Sequence, residues 1–289
     1  MNILVTGKNG QLGSELTELS PIYYYHNFYF TDVESLDITN LKQLSKYFLL
    51  NKIDLIINCA AYTAVDKAEE EKDKAYNVNS IAVKNLIKMC FKYDIKLIHI
   101  STDYIFDGFK NSPYNEEDKA NPKSVYGLSK YHGEKEILIS KISAIIIRTS
   151  WLYSSYGNNF VKTILRLSQE KNSIDVVSDQ IGSPTYARDL AIACMQTVDQ
   201  SDNWSLRPQI FHYSNEGECS WYDFAKRILE INQLKIEIVP VKSKDYFFNT
   251  ERPKYSVLNK NKIKSKFNIN IPKWDYSLKY CLEIIKSKS

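Results

Sequence analysis

Three side chains in this sequence could together transfer a proton. Tyr126 and Lys130 lie four residues apart in a segment with helical spacing of apolar residues, 126–140, so they share one face of the predicted helix. A free tyrosine has a pKa of about 10, and a close ammonium group lowers that pKa by about one to three units. The phenol of Tyr126 would then donate a proton near neutral pH. Thr102, just past a predicted strand, can place its hydroxyl against the same substrate oxygen.

A chance pair on the surface is the simpler interpretation of Tyr126 and Lys130, because the chain contains 21 tyrosines and many lysines. The order of the motifs along the chain argues against chance. A glycine-rich loop comes first, Thr102 follows the fourth predicted strand, and Tyr126 and Lys130 lie on the next predicted helix. We therefore interpret these three residues as candidate catalytic groups.

The glycine-rich loop, residues 7–13 (GKNGQLG), fits the spacing G-x-x-G-x-x-G between a strand and a helix. Gly7, Gly10 and Gly13 permit a tight turn and let the backbone approach a pyrophosphate, and the following helix offers free amide groups and the positive end of its dipole. A turn without a ligand is the alternative. The strand before the loop and the helix after it favour a dinucleotide site.

Two acidic residues follow the second predicted strand, where a carboxylate can accept hydrogen bonds from an adenine ribose. Asp32 ends that strand, and Asp37 lies in the same loop. A carboxylate at this place favours NADH over NADPH because it would repel a 2′-phosphate. Lys8 nearby could offset that repulsion, so the sequence leaves the choice of cofactor open.

These residues all belong to a repeated pattern of strand and helix. Short apolar runs predict buried strands, and apolar residues at helical spacing predict the helices between them. The predicted strands are residues 2–6, 27–31, 54–59, 95–100 and 144–148, and the predicted helices are residues 11–19, 41–50, 77–93 and 126–140. The alternation indicates an α/β fold, a Rossmann-type doubly wound parallel sheet, in which ligands bind beyond the carboxyl ends of the strands.

The pattern changes after residue 150, where the segments become shorter and less regular. They predict helices at 159–169, 187–198, 220–231 and 274–286 and extended segments at 175–178 and 209–213. We therefore divide the chain into a dinucleotide-binding Rossmann domain, residues 1–150, and a smaller mixed α/β part, residues 151–289, that mainly binds substrate. Some segments of this second part could return to the first domain.

Composition and charge argue against several classes of protein. The net charge of +4 in 289 residues gives little support to nucleic-acid binding, and no apolar run is long enough to span a bilayer. The five cysteines are widely spaced, which is typical of reduced thiols, and the opening MNILVTG lacks the basic flank of a secretory signal. We expect a cytoplasmic protein in which the cysteines bind no metal.

The motifs together resemble the extended short-chain dehydrogenase/reductase superfamily and, more closely, the dTDP-4-dehydrorhamnose reductase family. The resemblance runs through nearly the whole chain. Its pieces are GKNGQLG (7–13), NCAAYTAVDKAE (58–69), STDYIFDG (101–108), VYGLSKYHGE (125–134), RTSWLY (148–153), GNNFVKT (157–163), DQIGSPT (179–185) and RPKYSVLN (252–259). The later pieces discriminate among sugar-nucleotide enzymes, whereas the glycine loop and the Tyr–Lys pair do not.

The resemblance implies an NAD(P)H-dependent oxidoreductase that reduces the 4-keto group of dTDP-4-dehydro-L-rhamnose to give dTDP-L-rhamnose for surface polysaccharide. It implies that Tyr126 is the acid, Lys130 its partner and a ligand of the nicotinamide ribose, and Thr102 the third member. Two alternatives stay open: a reductase of another 4-keto-6-deoxy sugar nucleotide, and a catalytically silent nucleotide-binding regulatory subunit. The intact Thr102, Tyr126 and Lys130 disfavour the silent subunit. A homodimer and a monomer are both compatible with the sequence.

The resemblance also implies contacts with the cofactor and the substrate. Along the dinucleotide, from the pyrophosphate through the adenosine to the nicotinamide, it places Gly10, Gln11, Leu12, Asp32, Asp37, Ile38, Ala61, Tyr62 and Thr63. By the sugar nucleotide it places Thr102, Asp103, Trp151, Asn159 and Arg252. From the residues alone, Trp151 could stack on a sugar or base or belong to the core, and Arg252 could pair with a diphosphate or be solvated.

Two positions depart from the family pattern. Tyr255 stands where a small or amide residue is expected, which bears on the fit of the substrate. Some relatives are dimers bridged by a divalent metal such as Mg²⁺ through acidic side chains. Glu15 could match one such ligand, but Arg188 stands where an acid is expected, so the sequence argues against a metal-bridged dimer.

Overall fold

The structure, a computed structural model, describes residues 1–246 and 250–288. Its strands are β1 (Asn2–Thr6), β2 (Asn27–Thr31), β3 (Leu55–Asn58), β4 (Lys96–Thr102), β5 (Ala144–Thr149), β6 (Leu152–Tyr153), β7 (Ser173–Val177), β8 (Ile181–Gly182), β9 (Thr185–Tyr186), β10 (Gln209–His212), β11 (Cys219–Ser220) and β12 (Glu237–Val241).

The α-helices of the same residues are α1 (Gln11–Leu19), α2 (Leu41–Leu50), α3 (Val65–Ala68), α4 (Lys72–Tyr76), α5 (Ala82–Tyr93), α6 (Val125–Leu138), α7 (Phe160–Glu170), α8 (Ala187–Asp199), α9 (Trp221–Asn232), α10 (Asn261–Phe267) and α11 (Trp274–Ser287). A π-helical turn, Asn77–Ile81, runs directly into α5. Short 3₁₀ turns lie at Asp103–Ile105, Ser201–Asn203 and Ser243–Asp245.

Six of these strands form one parallel sheet in the order β10-β5-β4-β3-β1-β2. Thr6 pairs with Thr31 on one side and Asn58 on the other, so the carboxyl ends of β1, β2 and β3 lie side by side. The strand order reverses between β1 and β3, which is where open α/β sheets bind ligands. The Rossmann-type doubly wound sheet predicted from the sequence is confirmed.

The central strands are apolar along their whole length because helices cover both faces of the sheet. Ile3 and Val5 of β1 belong to one apolar cluster with residues of α1, α8 and α10. Leu4, on the opposite face of the same strand, belongs to a second cluster with residues of α2, α5 and α6. Alternate residues of β1 therefore pack against the helices on the two faces of the sheet. This packing fixes the end of β1, from which the glycine-rich loop starts.

Much of the chain beyond residue 150 forms smaller units beside this sheet. Parallel strands β7 and β12 pair with each other, and α7, α9 and α11 pack around a separate apolar cluster. One segment of this half, β10, pairs with β5 at the edge of the main sheet, and α8 packs against α1. The division of the chain at residue 150 stays a prediction.

The helices and strands predicted from the sequence lie within one or two residues of those in the structure. The sequence did not predict β12, α10 or the π-helical turn at the start of the predicted helix 77–93. It also did not predict the short elements α3, α4, β6, β8, β9 and β11. In residues 1–246 and 250–288, every helix is too short or too polar to span a lipid bilayer.

Candidate active site

A cleft of about 410 Å³ opens at the carboxyl ends of β1, β2 and β3. Residues from the loops after all three strands line it. Six residues predicted from the sequence to bind the cofactor lie on the wall of this cleft: Gly7, Gly10, Asp32, Asp37, Ile38 and Ala61. The structure thus brings together the glycine loop, the acidic loop and the loop after β3.

The glycine turn is shaped by contacts that leave no room for a side chain. Gly7 adopts a φ of +68°, and a Cβ there would lie 2.7 Å from the backbone nitrogen of Ala60. A Cβ on Gly13 would collide with the carbonyl oxygen of Gly7. Gly10 immediately precedes α1, so the first amides of that helix open towards the cleft without a capping side chain. A turn of this shape fits a pyrophosphate.

Two further predicted residues of this loop, Gln11 and Leu12, occupy different surroundings. Leu12 is buried in the cluster beneath α1, so a ligand can meet its backbone but not its side chain. The side-chain amide of Gln11 donates to the carbonyl of Leu152 at 3.4 Å, and its oxygen accepts from Asn159 at 3.0 Å. Gln11 therefore links the glycine turn to the second half of the chain.

The two predicted acidic residues hold their own loops in place. A carboxylate oxygen of Asp32 accepts a hydrogen bond of 2.9 Å from the backbone N–H of Asn9, which fixes the glycine turn against the end of β2. A carboxylate oxygen of Asp37 accepts from both the N–H and the hydroxyl of Thr39, at 2.8 and 2.7 Å. Both carboxylates remain on the wall of the cleft.

The loop after β3 is held by a residue that the sequence analysis missed. The side-chain oxygen of Asn79 accepts from the N–H of Tyr62 at 2.9 Å, and its amide donates to the carbonyl of Tyr62 and the hydroxyl of Ser129, both at 3.0 Å. Asn79 lies in the π-helical turn, a feature often found at functional sites. The sequence signal that could have identified Asn79 is a polar amide on the face of the predicted helix 77–93 that is otherwise mainly apolar.

The three predicted cofactor residues in the loop after β3 have side chains in different surroundings. Ala61 lines the cleft, and Thr63 is exposed. The hydroxyl of Tyr62 donates to Glu71 at 2.7 Å, and this hydrogen bond is the main reason that the pKa of Tyr62 is raised to about 12.

Helix α6 carries Tyr126 to the end of β4. Ser124 caps the helix by accepting from the N–H of Gly127 at 3.0 Å. A Cβ on Gly127 would collide with the carbonyl oxygen of Tyr104, so the first turn of α6 lies directly against the 3₁₀ turn after β4. The ring of Tyr104 meets the ring of Tyr126 edge-on, with centroids 5.5 Å apart. This packing brings the Tyr126 phenol close to the hydroxyl of Thr102.

The pKa of Tyr126 is raised to about 12, chiefly because burial removes water from the phenol. The hydrogen bond with Thr102 lowers this pKa, and the charge of Asp103 raises it. The sequence-based expectation that Lys130 lowers the pKa of Tyr126 is therefore wrong for the protein alone. Loss of water outweighs the other influences on the phenol.

Lys130 lies on the same face of α6 as Tyr126 and is buried. Its ammonium donates to the carbonyl oxygen of Ile100 at 2.6 Å. Burial lowers the pKa of Lys130 to about 8, although Glu134 and Cys59 act in the opposite direction. Glu134, one turn further along α6, is itself bound by Arg148 of β5 through contacts of 2.7 to 3.2 Å.

Asp103 follows Thr102 and is also buried. The hydroxyl of Thr102 donates to a carboxylate oxygen of Asp103 at 3.2 Å and accepts from the N–H of Tyr104 at the same distance. Burial raises the pKa of Asp103 to about 6, while hydrogen bonds with Ser256 and Thr102 lower it. Its carboxyl group therefore changes charge more readily than an exposed aspartate does near neutral pH.

Trp151 takes a backbone conformation with a φ of +48°, which bulky residues rarely adopt. Its indole stacks on the ring of Trp221 with centroids 3.6 Å apart. A Cβ on Gly182 would lie 2.5 to 2.8 Å from three neighbouring ring atoms of Trp151, which puts Gly182 against the other face. Because protein covers both faces, Trp151 can offer a ligand only the edge of its ring.

Arg252 and Asn159 are the remaining predicted substrate residues. Both are already engaged with protein groups, as is Tyr255, which departs from the family pattern. Arg252 donates to a carboxylate oxygen of Asp66 at 2.8 Å. Asn159 caps α7 by accepting from the N–H of Lys162 at 3.1 Å. The hydroxyl of Tyr255 donates to Glu218 at 3.1 Å.

The residues around Glu15 do not fit a divalent cation. Glu15 is buried and accepts from the hydroxyl of Ser154 at 2.6 Å. The guanidinium of Arg188 lies 3.5 Å from its other oxygen, so a positive charge stands where a metal would need a ligand. Within residues 1–246 and 250–288, no group of three His, Cys, Asp or Glu could hold a metal ion.

The sequence of this chain matches a known protein family. A family model described as the RmlD substrate binding domain matches residues 1–287. The chain belongs to this family. One relative is the spore coat polysaccharide biosynthesis protein SpsK of Bacillus subtilis, which is 41% identical over 89% of this chain and 88% of its own length.

Two further relatives carry the name of a reductase. The dTDP-4-dehydrorhamnose reductase of Aggregatibacter actinomycetemcomitans is 39% identical over 96% of this chain and 97% of its own. The crystal structure of the Bacillus anthracis dTDP-4-dehydrorhamnose reductase in complex with NADP superposes with a TM-score of 0.92 at 39% identity, over 98% of this chain and 99% of that one.

Proposed function

We propose that this chain reduces the 4-keto group of dTDP-4-dehydro-L-rhamnose with NADPH or NADH, giving dTDP-L-rhamnose for surface polysaccharide. One structural observation carries the proposal: the phenol of Tyr126 lies close to Thr102 at the carboxyl edge of the sheet that also forms the glycine-lined cleft. The names of the relatives support the choice of this substrate.

The cofactor supplies a hydride to the carbonyl carbon when it is bound. The amides at the start of α1, next to Gly10, would hold its pyrophosphate. Asp32, Asp37 and Ile38 would lie along the adenosine, and Ala61, with the backbone of Tyr62 and Thr63, along the nicotinamide side. Lys130 would hold the nicotinamide ribose through its ammonium group.

Tyr126 would donate its phenolic proton to the carbonyl oxygen while the carbon gains the hydride, so the C=O bond becomes C–OH. Thr102 would turn its hydroxyl from Asp103 to the same oxygen, donate a hydrogen bond to it and stabilise its developing negative charge. Tyr126 is then left as a phenolate, which regains a proton from solvent.

The second half of the chain would bind the sugar nucleotide. Arg252 carries a charge suited to the diphosphate and would exchange its bond with Asp66 for one with the phosphate oxygens. Trp151 would contact the sugar through its ring edge, and Asn159 would lie nearby. We place the reaction in the cytoplasm, consistent with free thiols at all five cysteines. The active unit would be a monomer or a homodimer.

Product analysis tests the proposal. The purified protein is incubated with dTDP-4-dehydro-L-rhamnose and either NADPH or NADH, and the sugar nucleotide is identified by NMR and mass spectrometry. We expect dTDP-L-rhamnose in an amount equal to the cofactor oxidised. Turnover only with a different 4-keto-6-deoxy sugar nucleotide would replace the substrate in this proposal. Binding of cofactor without turnover of any such sugar would favour a regulatory subunit instead.

A further inference from the structure

Two carboxylates at the short helix α3, one within it and one directly after it, bind a distant loop, residues 250–252. Asp66 and Glu69 are three residues apart, so their side chains point the same way. Asp66 accepts a hydrogen bond of 2.8 Å from Arg252. Glu69 accepts one of 3.2 Å from the hydroxyl of Thr250, which is buried. The loop that carries the proposed diphosphate ligand is thus fixed to α3.

The same oxygen of Glu69 also binds the helix that carries Tyr126. It accepts a hydrogen bond of 2.9 Å from the backbone N–H of Val125, the first residue of α6. A carboxylate is favoured at this place because the amides at the start of a helix are unpaired and carry a partial positive charge. One oxygen of Glu69 therefore joins Thr250 to the residue before Tyr126.

The far end of the loop is held by backbone contacts. The N–H of Ile181 donates to the carbonyl of Lys254 at 2.8 Å. A Cβ on Gly108 would lie 2.6 Å from Pro253, so the chain after β4 lies directly against this segment. Because residues 253 and 254 are held in place, a movement of Arg252 shifts the backbone on its other side, at Thr250. Thr250 is hydrogen-bonded to Glu69, so the movement reaches Glu69.

We infer that Glu69 is a positioning residue that couples the placement of residues 250–252 to the orientation of Tyr126. A substrate diphosphate that draws Arg252 from Asp66 would act on Thr250, and through Glu69 on the first turn of α6. Diphosphate binding and proton donation would therefore be linked although they occur at opposite ends of the substrate. The inference rests on the proposed reductase activity.

The test uses Thr250→Val, which removes the hydroxyl bound to Glu69 without touching α6, together with Glu69→Ala and the double variant. We expect Thr250→Val to raise KM for the sugar nucleotide and also to lower kcat, each by about threefold to tenfold, the range for one lost hydrogen bond. Glu69→Ala lowers kcat by about tenfold or more. The double variant should be no slower than Glu69→Ala, because both changes break the same connection.

Controls separate coupling from loss of structure. Glu70→Gln changes an exposed carboxylate next to Glu69 and should leave kcat and KM unchanged. Glu69→Gln keeps an acceptor oxygen and should recover part of the lost kcat. Thermal melting and cofactor titration show that each variant is folded and binds dinucleotide as the wild type does.

Two results would overturn the inference. In one, Thr250→Val raises KM but leaves kcat at the wild-type value. In the other, the effects of Thr250→Val and Glu69→Ala on kcat multiply in the double variant. Absence of turnover in the wild type would instead contradict the proposed function, so the two failures are distinguishable.

Discussion

The side-chain amide of Asn159 donates a hydrogen bond of 3.0 Å to the side-chain oxygen of Gln11. Gln11 begins α1 directly after Gly10, and Asn159 caps α7 in the second half of the chain. The same amide donates to the carbonyl of Ser154 at 2.8 Å. A residue expected from the sequence to meet the sugar nucleotide therefore also holds the cofactor loop.

Asn159→Ala should weaken cofactor binding as well as the fold. Loss of the cap should cost about 1 kcal/mol of stability, and the freed Gln11 should raise the Kd for NADPH by about threefold to tenfold. Fluorescence titration measures the Kd, and thermal melting measures the stability. Ser220→Ala, which removes the cap of α9, is the matched control and should lower the melting temperature without altering the Kd. An equal rise of the Kd in both variants would refute the role of the Asn159–Gln11 contact.

Gly182→Ala should disturb Trp151, because the added methyl would lie 2.5 Å from its ring. Overpacking of this kind costs about 1 to 3 kcal/mol. We expect a higher KM for the sugar nucleotide and an unchanged Kd for the cofactor, measured by steady-state kinetics and titration. The smaller ring in Gly182→Ala/Trp151→Phe relieves the clash and should restore stability but not KM. Gly182→Ala with a wild-type KM would show that the Trp151 edge contributes nothing to substrate binding.

Local sequence was sufficient to predict the sheet and the helices that flank it. The run at residues 2–6 is apolar throughout, and Leu12, Leu16 and Leu19 recur at helical spacing, so each element was predictable from its own residues. β12 was not predicted because its residues are only partly buried and Pro240 interrupts the run. The π-helical turn leaves helical spacing nearly unchanged, so residues 77–81 were predicted as ordinary helix.

Contacts between distant segments were beyond the reach of the sequence. The sequence left open whether Trp151 stacks on a ligand or belongs to the core, because its 3.6 Å contact with Trp221 joins residues far apart in the chain. The pKa of Tyr126 was expected to fall because Lys130 is four residues away, yet burial, which only the folded chain defines, determines its direction. The sequence shows which residues share a helix face, but it does not show how far folding removes water from a side chain.

The pH dependence of kcat/KM for NADPH should report Lys130 rather than Tyr126. Burial lowers the pKa of Lys130 to about 8, so its charged form is present below that pH and is lost above it. The pKa of Tyr126 is raised to about 12, so the phenol keeps its proton through this range. We expect kcat/KM to fall as the pH rises through about 8. Lys130→Arg should move that fall to higher pH, since a guanidinium stays charged. A fall that remains near pH 8 in this variant would exclude Lys130 as its source.

Tyr126→Phe in a single-turnover assay tests the central claim most directly. The variant keeps the ring that meets Tyr104 and removes the phenolic proton. Oxidation of bound NADPH by dTDP-4-dehydro-L-rhamnose is followed by stopped-flow absorbance, with Tyr131→Phe, on the same helix, as control. We expect Tyr126→Phe to be slower by about 10²- to 10⁴-fold with cofactor binding intact, and Tyr131→Phe to match the wild type. Oxidation at the wild-type rate in Tyr126→Phe would contradict proton donation by this residue.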